Sequence, residues 1–365
     1  MSNRNRPLVI AVAAVAVIAV AGGGLLAAAR GPQSQSGAAA APLTQAPTST
    51  ALPVTQRIDP AKLTAGQAPQ VAYVRGRTVM GGIGKPITVP GTRSIDGVVR
   101  LWDETLTLQV DTTPKGTLVV QDSQGKVLRE EAGIDSLVGS ADGDAVAYGD
   151  GDLFAAVRQG GTVYYGKPGG YGDRLAQPKS YNLQVLSVSD KTVFFSSATT
   201  PGGTARLYRW NVGTKTATVV PKLTSPLAVS ADGVLGASLP VFTDSGVCSA
   251  LINLGTGLQL WKSCQYRLDK FSPGNAFVIG LPPNTGGPVG VERLDAVNPE
   301  TGKPIRTWLT SVISRQLAED DDHVLFQWYA EEDVRSNSAI VRCTVSTGEC
   351  ELATPLAKEP LLLGS

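Results

Sequence analysis

The side chains that could do chemistry in this chain are few and far apart. His323 is the only histidine among 365 residues. That rules out sites built from several histidines and leaves a single ring as base for any hydrolytic triad. It follows Glu319, Asp320, Asp321 and Asp322, an acidic turn that leads into the apolar segment HVLFQWYA. These four carboxylates are the one candidate partner or cation site. A second acidic group, Glu331, Glu332 and Asp333, lies at the other end of that segment. If the segment is a strand, its ends stand roughly 25 Å apart, so the two groups do not converge on one ion. Asp142, Asp144, Asp150 and Asp152 lie in DGDAVAYGDGD, which lacks the ordered ligand spacing and closing Glu of a calcium-binding loop. In GKPGGYGDR (166–174) the Lys precedes the glycines and no helix follows, so the stretch reads as a turn rather than a phosphate cradle. No catalytic residue, metal site or cofactor-binding residue is expected, and no cofactor.

The cysteines carry a clearer signal. Cys248, Cys264, Cys343 and Cys350 form two local pairs without CxxC spacing. An even number in local pairs fits disulfides formed in an oxidising compartment. Each pair is centred on a turn, NLGTG for the first and VSTG for the second, so each is expected to staple a hairpin.

Those hairpins belong to a repeat. The phrases LVGSADGDAVAYG (137–149), VLSVSDKTVFFSS (185–197), LAVSADGVLGASL (227–239) and DKFSPGNAFVIGL (269–281) share a strand, a Ser-led turn and a second strand, with QLAEDDDHVLFQW (316–328) as a looser copy. Ser140, Ser189, Ser230 and Ser272 are 49, 41 and 42 residues apart, and Glu319 follows 47 later. A second turn has the same period, ending at Gly125, Lys215, Gly257, Gly302 and Gly348, with one copy displaced to Gly169-Gly170. Four short strands in roughly 40–45 residues are the mark of a propeller blade, where stacked sheets bury each other's faces. The fold class is therefore all-β, a single β-propeller of about seven four-stranded blades, with six as the alternative. Full units are expected at 92–134, 135–178, 179–223, 224–265, 266–309 and 310–354. The segment 71–91 is only part of a unit, and PLLLG (360–364) is expected to supply its missing inner strand and close the ring. Trp102, Trp210, Trp261, Trp308 and Trp328 are expected to pack between blades.

SADGDAVAY, SADGVLGA and FSPGNAFVIG resemble the WD40-like and YVTN-like propellers of membrane-anchored, extracytoplasmic proteins of high-GC Gram-positive bacteria. The resemblance covers about 71–364 and implies a fold; function does not travel with it. The Trp-Asp dipeptide, Trp102-Asp103, falls early in a unit, where it does not match the WD40 signature.

Placement follows from the first residues. Arg4 and Arg6 precede an uncharged run from Pro7 to Ala29. As a helix that run spans about 34 Å, enough to cross a bilayer. Positive-inside bias then leaves residues 1–6 in the cytoplasm, makes 7–29 a single transmembrane signal-anchor, and puts the rest outside. The alternative is cleavage after Ala27-Ala28-Ala29 and secretion. Residues 30–70, rich in Ala, Pro, Ser, Thr and Gln, are expected to form a disordered linker to a propeller at 71–365. Residues 1–60 hold four arginines against one acidic residue in a chain of net charge +1, so the rest is weakly acidic and unsuited to nucleic acid. The expected function is a non-catalytic protein-interaction or scaffold module of the cell envelope. Its partners would be the cytoplasmic membrane, through the helix, and an envelope protein. The alternatives are recognition of cell-wall glycan and a lactonase-like or quinoprotein-like enzyme. Three or more carboxylates at the channel mouth would favour the enzyme; an apolar mouth would favour a peptide or protein.

Overall fold

Middle strands of this chain are buried on both faces, while outer strands alternate. ETLTLQV (104–110) and HVLFQWY (323–329) are buried almost throughout, whereas VLREEAGI (127–134) is half-buried and exposed by turns. That combination requires sheets stacked face to face with only their outer edges in water. A computed structural model shows this arrangement and describes residues 54–111, 116–151, 159–243, 246–284, 290–333 and 335–364.

The first strand is β1 (Val54–Arg57), followed by a single 3-10 turn at Pro60–Lys62. Next come β2 (Tyr73–Arg75), β3 (Thr78–Met80) and β4 (Ile87–Thr88) of the first sheet. The second sheet holds β5 (Ser94–Leu101), β6 (Glu104–Val110), β7 (Gly116–Gln121) and β8 (Val127–Ile134). The third holds β9 (Ser136–Gly139), β10 (Val146–Asp150), β11 (Thr162–Lys167) and β12 (Gly170–Ala176). The fourth holds β13 (Tyr181–Ser189), β14 (Thr192–Ala198), β15 (Arg206–Asn211) and β16 (Thr218–Thr224). The fifth holds β17 (Pro226–Val229), β18 (Leu235–Thr243), β19 (Gly246–Asn253) and β20 (Leu258–Ser263). In the sixth, β21 (Arg267–Phe271), β22 (Val278–Leu281) and β23 (Val291–Val297) pair with the first half of β24 (Pro304–Ala318). The second half of β24 opens the seventh, with β25 (His323–Tyr329), β26 (Ser338–Thr344) and β27 (Cys350–Leu352). β28 (Leu361–Leu363) then returns to pair with β2.

The inner strands touch in a closed cycle, β28 to β5, β9, β13, β17, β21, β24 and back to β28. Seven apolar clusters fill the seven gaps between neighbouring sheets, from Val74, Val98 and Leu362 between the first two to Tyr73, Leu317 and Leu363 between the last and the first. The chain is a seven-bladed β-propeller, not a six-bladed one. Of the five tryptophans, Trp210, Trp308 and Trp328 are buried in these clusters and Trp261 packs against one, while Trp102 projects from a turn.

Ring closure is the one expected from PLLLG. Tyr73 pairs with Leu363, and Arg75 with Leu361. The buried amide of Gln327 fastens this strand from the neighbouring blade. Its Nε2 donates to the Leu361 carbonyl at 2.8 Å, and the Leu363 N–H donates to its Oε1 at 3.2 Å.

The expected linker is corrected at its C-terminal end, because residues 54–70 belong to the fold. β1 pairs in parallel with Arg306–Leu309 on the outer edge of the sixth blade, and Ile58 is buried in the cluster between the sixth and seventh. The polar composition of this stretch hid its order, which comes from backbone pairing and from one arginine. Arg342 donates to the carbonyls of Gln67 and Ala68 while bonding Glu319 and Glu351. The expected membrane helix at 7–29, the cytoplasmic residues 1–6 and the linker from 30 to 53 lie outside the described residues. Among the described residues no helix is long and apolar enough to cross a membrane.

Both expected disulfides form. Cys343 lies opposite Cys350 on β26 and β27, and Cys248 on β19 bonds Cys264, one residue beyond β20. Each staples the outer hairpin of a blade. Closing such short loops is worth about 2–3 kcal/mol each. Replacing Cys248 and Cys264 with serine is therefore expected to lower the urea midpoint with an unchanged slope, while the reduced wild type moves further because both staples open. An unchanged midpoint in both cases would contradict the assignment.

Candidate functional site: the mouth of the central channel

Six of the seven inner strands run toward one face of the ring into the hairpin turns that join them to the second strands; the seventh, β28, pairs with β2 without such a turn. The Ser-led phrases are these turns. Ser140 Oγ donates to Asp142 at 2.5 Å and accepts the Asp144 and Ala145 N–H groups. Ser230 repeats the pattern with Asp232 and Leu235, and Ser272 Oγ accepts the Phe277 N–H. The third position needs a left-handed backbone, supplied by Gly143, Gly233 and Asn275 (φ 72°, 69° and 66°). The hydroxyl of Ser140 holds the Asp142 carboxyl below its usual range. Burial pulls Asp232 upward, but Ser230, the Val234 N–H and Asn275 more than offset it. These aspartates stabilise turns and are not poised to accept protons from a substrate.

The turns and strand ends enclose a cavity of about 370 Å³ lined by six of the inner strands and by Gly364, just beyond the seventh. Its walls are mainly aliphatic, with Val98, Val138, Leu186, Val229 and Leu317 among them and Phe271 as the aromatic. Its rim carries two strongly exposed apolar residues, Trp102 (61 % exposed) and Ile83 (68 %). Trp102 is held in place by its Nε1, which donates to Asp144 at 2.8 Å. A more open groove of about 540 Å³ lies beside β1, lined by Arg57, Asp59, Glu292 and Ser311 among others, but only the sixth and seventh blades border it.

Two carboxylates line the mouth among its described residues, Asp142 and Glu319, and both are committed elsewhere. Glu319 is buried, receives Arg342 at 2.6 and 2.8 Å, and accepts the Gln70 N–H at 2.6 Å. The other three residues of the acidic turn have partners of their own. Asp320 accepts the Asp322 and His323 N–H groups and meets His323 Nδ1 at 2.8 Å. Asp321 accepts the Gly274 N–H from the sixth blade, and Asp322 accepts the Ser346 N–H and hydroxyl. Adjacent in sequence, the four face four different partners. No group of three or more His, Cys, Asp or Glu among the described residues is placed to hold a metal ion. Glu331, Glu332 and Asp333 follow β25 at its other end, as their spacing required.

A polar cluster that spacing did not reveal lies between the second and third blades. Tyr171 hydrogen-bonds Glu104, Tyr148 and Arg129 both meet Glu131, and Arg129 sits over the Tyr171 ring. Burial, together with the neighbouring carboxylates, pushes both phenols well up, which keeps them as neutral donors. The cluster is internally satisfied and joins two blades.

No family model matches the chain, and no curated protein matches it in sequence. Among solved structures it is similar to an uncharacterized protein of Listeria monocytogenes, at 10 % identity over 74 % of this chain and 86 % of that one, with a TM-score of 0.48. It is also similar to TolB of Acinetobacter baumannii, at 18 % identity over 67 % of each chain and a TM-score of 0.41. A third is a chain of the mitotic checkpoint complex, at 13 % identity over 81 % and 88 % and a TM-score of 0.45. The assignment of the propeller rests on its closed cycle of inner strands and not on these likenesses.

Proposed function

We propose that this chain is a non-catalytic interaction module whose propeller receives an extended segment of a partner protein at the channel mouth. The observation that carries the reading is the composition of that mouth. Its walls are apolar, its rim bears Trp102 and Ile83, and its two carboxylates are consumed by Ser140 and Arg342. Exposed apolar side chains around a concave site are costly to leave in water and suit a partner surface. An enzyme of the cation-dependent propeller type would need free inward carboxylates at this place.

The module is proposed to sit outside the cytoplasmic membrane, held by the apolar run 7–29 with an envelope protein as partner. Two disulfides support an oxidising compartment, and Arg4 and Arg6 support the orientation. The test is co-purification of the full chain from crosslinked, solubilised envelopes of its source. Ile83→Asp changes an exposed rim side chain at little structural cost and is expected to remove the enriched partner. Phe242→Asp alters the exposed side chain of the β18–β19 hairpin (80 % exposed), at the opposite end of the second strands, and is expected to retain it. Equal recovery with both variants would contradict the reading.

A further inference from the structure

Five of the seven inner strands carry at least one extra residue relative to the second strand beside them. Irregularities fall at Asp96 in β5, Leu186 in β13, Leu227 in β17, Asp269-Lys270 in β21 and Ser314 in β24, with another in β13 between Tyr181 and Gln184. A bulge re-aims the side chains beside it. In the sixth blade it delivers Lys270 to the wall of the cavity.

The depth of Lys270 follows from the strand register. Along the six inner strands that line it, the cavity begins at a definite residue: Val98 on β5, Val138 on β9, Leu186 on β13, Ala228 on β17, Lys270 on β21 and Leu317 on β24. Two residues earlier on β5 and β24 stand Asp96 and Arg315, joined at 2.6 Å, with Arg315 also donating to the Asp96 carbonyl. That ion pair reaches from the seventh blade past the closing strand to the second. It lies about 7 Å further along the channel than the start of the cavity. Lys270 therefore belongs to the innermost layer of the cavity, and Trp102 and Ile83 to its rim.

Among the described charged groups around this layer, all but Lys270 have a hydrogen-bonded or ionic partner; Arg100, also in the lining, donates to the carbonyls of Val79, Ile83 and Lys85. Arg315 is taken by Asp96, Asp269 accepts from Gln316 at 2.7 Å, and Glu319 is taken by Arg342. Among the described residues the Lys270 ammonium makes no ion pair and no hydrogen bond, although the neighbouring Asp269 carboxylate favours its charge. Burial disfavours its charged form, Asp269 partly offsets this, and Arg315 adds repulsion. A cation without a bonded partner at the inner end of a mainly apolar cavity is an incomplete pair.

We infer that the segment received at the mouth is the C-terminus of a partner protein, entering with its terminal carboxylate toward Lys270 and its last apolar side chains against Val138, Leu186 and Phe271. This rests on the reading of the mouth as the binding site and adds which end of the partner enters. The order of chemistry selects the occupant. The negative end must go in first and apolar groups must follow, which a peptide terminus satisfies. An amphiphile with its head in water does not. The Asp96–Arg315 pair beyond the cavity suits a segment that ends rather than one that threads through.

The probe is a pool of short, N-terminally fluorescein-labelled peptides whose last positions are Val, Leu or Phe, prepared as free acids and as C-terminal amides. Anisotropy is read on the full-length chain in mild detergent. The free-acid pool is expected to bind about tenfold or more tightly than the amide pool. Lys270→Met is expected to bind both alike, with its urea midpoint showing that it remains folded. Should Lys270→Met fold poorly, Lys270→Gln serves the same comparison. Equal binding of acid and amide by the wild type, a preference surviving in the Lys270 variants, or no binding of either pool would overturn the inference. None of these outcomes affects the Ile83→Asp co-purification, so failure here is distinguishable from failure of the mouth as a site.

Discussion

A chain ending at Glu359 is expected to lose its cooperative unfolding transition and to be cut rapidly by protease throughout the propeller. The truncation removes β28, the innermost strand of the first blade, with Leu361, Leu362 and Leu363 all buried. Burying three leucines contributes about 5–9 kcal/mol, against a net stability of about 5–15 kcal/mol for a typical domain. The loss also strips Tyr73–Arg75 of its pairing partner and leaves the buried amide of Gln327 with neither bond to the Leu361 and Leu363 backbone. An opened propeller exposes two sheet edges and the clusters on both sides of the gap. Leu363→Asp, which keeps the chain length, is expected to lie between the truncation and the wild type in urea. A truncated chain with a cooperative transition close to the wild-type midpoint would show that the ring does not depend on its closing strand.

Replacing Arg342 with Met is expected to cost about 3–5 kcal/mol and to release residues 66–70 to protease. The side chain of Arg342 is 7 % exposed and that of Glu319 is 1 % exposed, so the change strands a buried carboxylate without its cation. The same guanidinium holds the carbonyls of Gln67 and Ala68 and shares Glu351. It therefore ties the lead into the first blade onto the last, beside the closing strand. Adding Glu319→Gln to the variant removes the stranded charge and is expected to recover a large part of the loss. Released protease sites should persist in the double variant, because the carbonyl contacts are still missing. Full stability of the single variant would mean that the triad is not the clamp its geometry indicates.

The propeller was legible because its signals are local and repeated. A serine that accepts amides across a tight turn leaves a Ser-led phrase at several inner hairpins, Ser-Ala-Asp-Gly at two of them. Ser140 and Ser230 both perform that role in space. Cysteines paired across a hairpin are likewise centred on its turn, so Cys248–Cys264 and Cys343–Cys350 were readable by spacing alone. What was not legible depends on contacts distant in sequence. β1 is polar and short, and its order comes from an edge some 250 residues away. Glu319–Asp322 are neighbours in the chain, yet their partners are Arg342, His323, Gly274 and Ser346. Lys270 is one of many lysines until a bulge and a register place it at the inner end of the channel mouth. The site is thus a property of the ring, composed of a few residues from each blade, and no single segment carries its signature.

The most direct test of the channel mouth as the binding site is photo-crosslinking in intact cells of the source. A photoreactive residue replaces Ile83 on the rim in one variant and Phe242 in another, both positions being exposed in the free protein. The result expected is one discrete adduct formed from position 83 and lost when Trp102 is also changed to serine, with no such adduct from position 242. An adduct from position 242 alone, or from both positions and indifferent to Trp102, would contradict the assignment of the mouth.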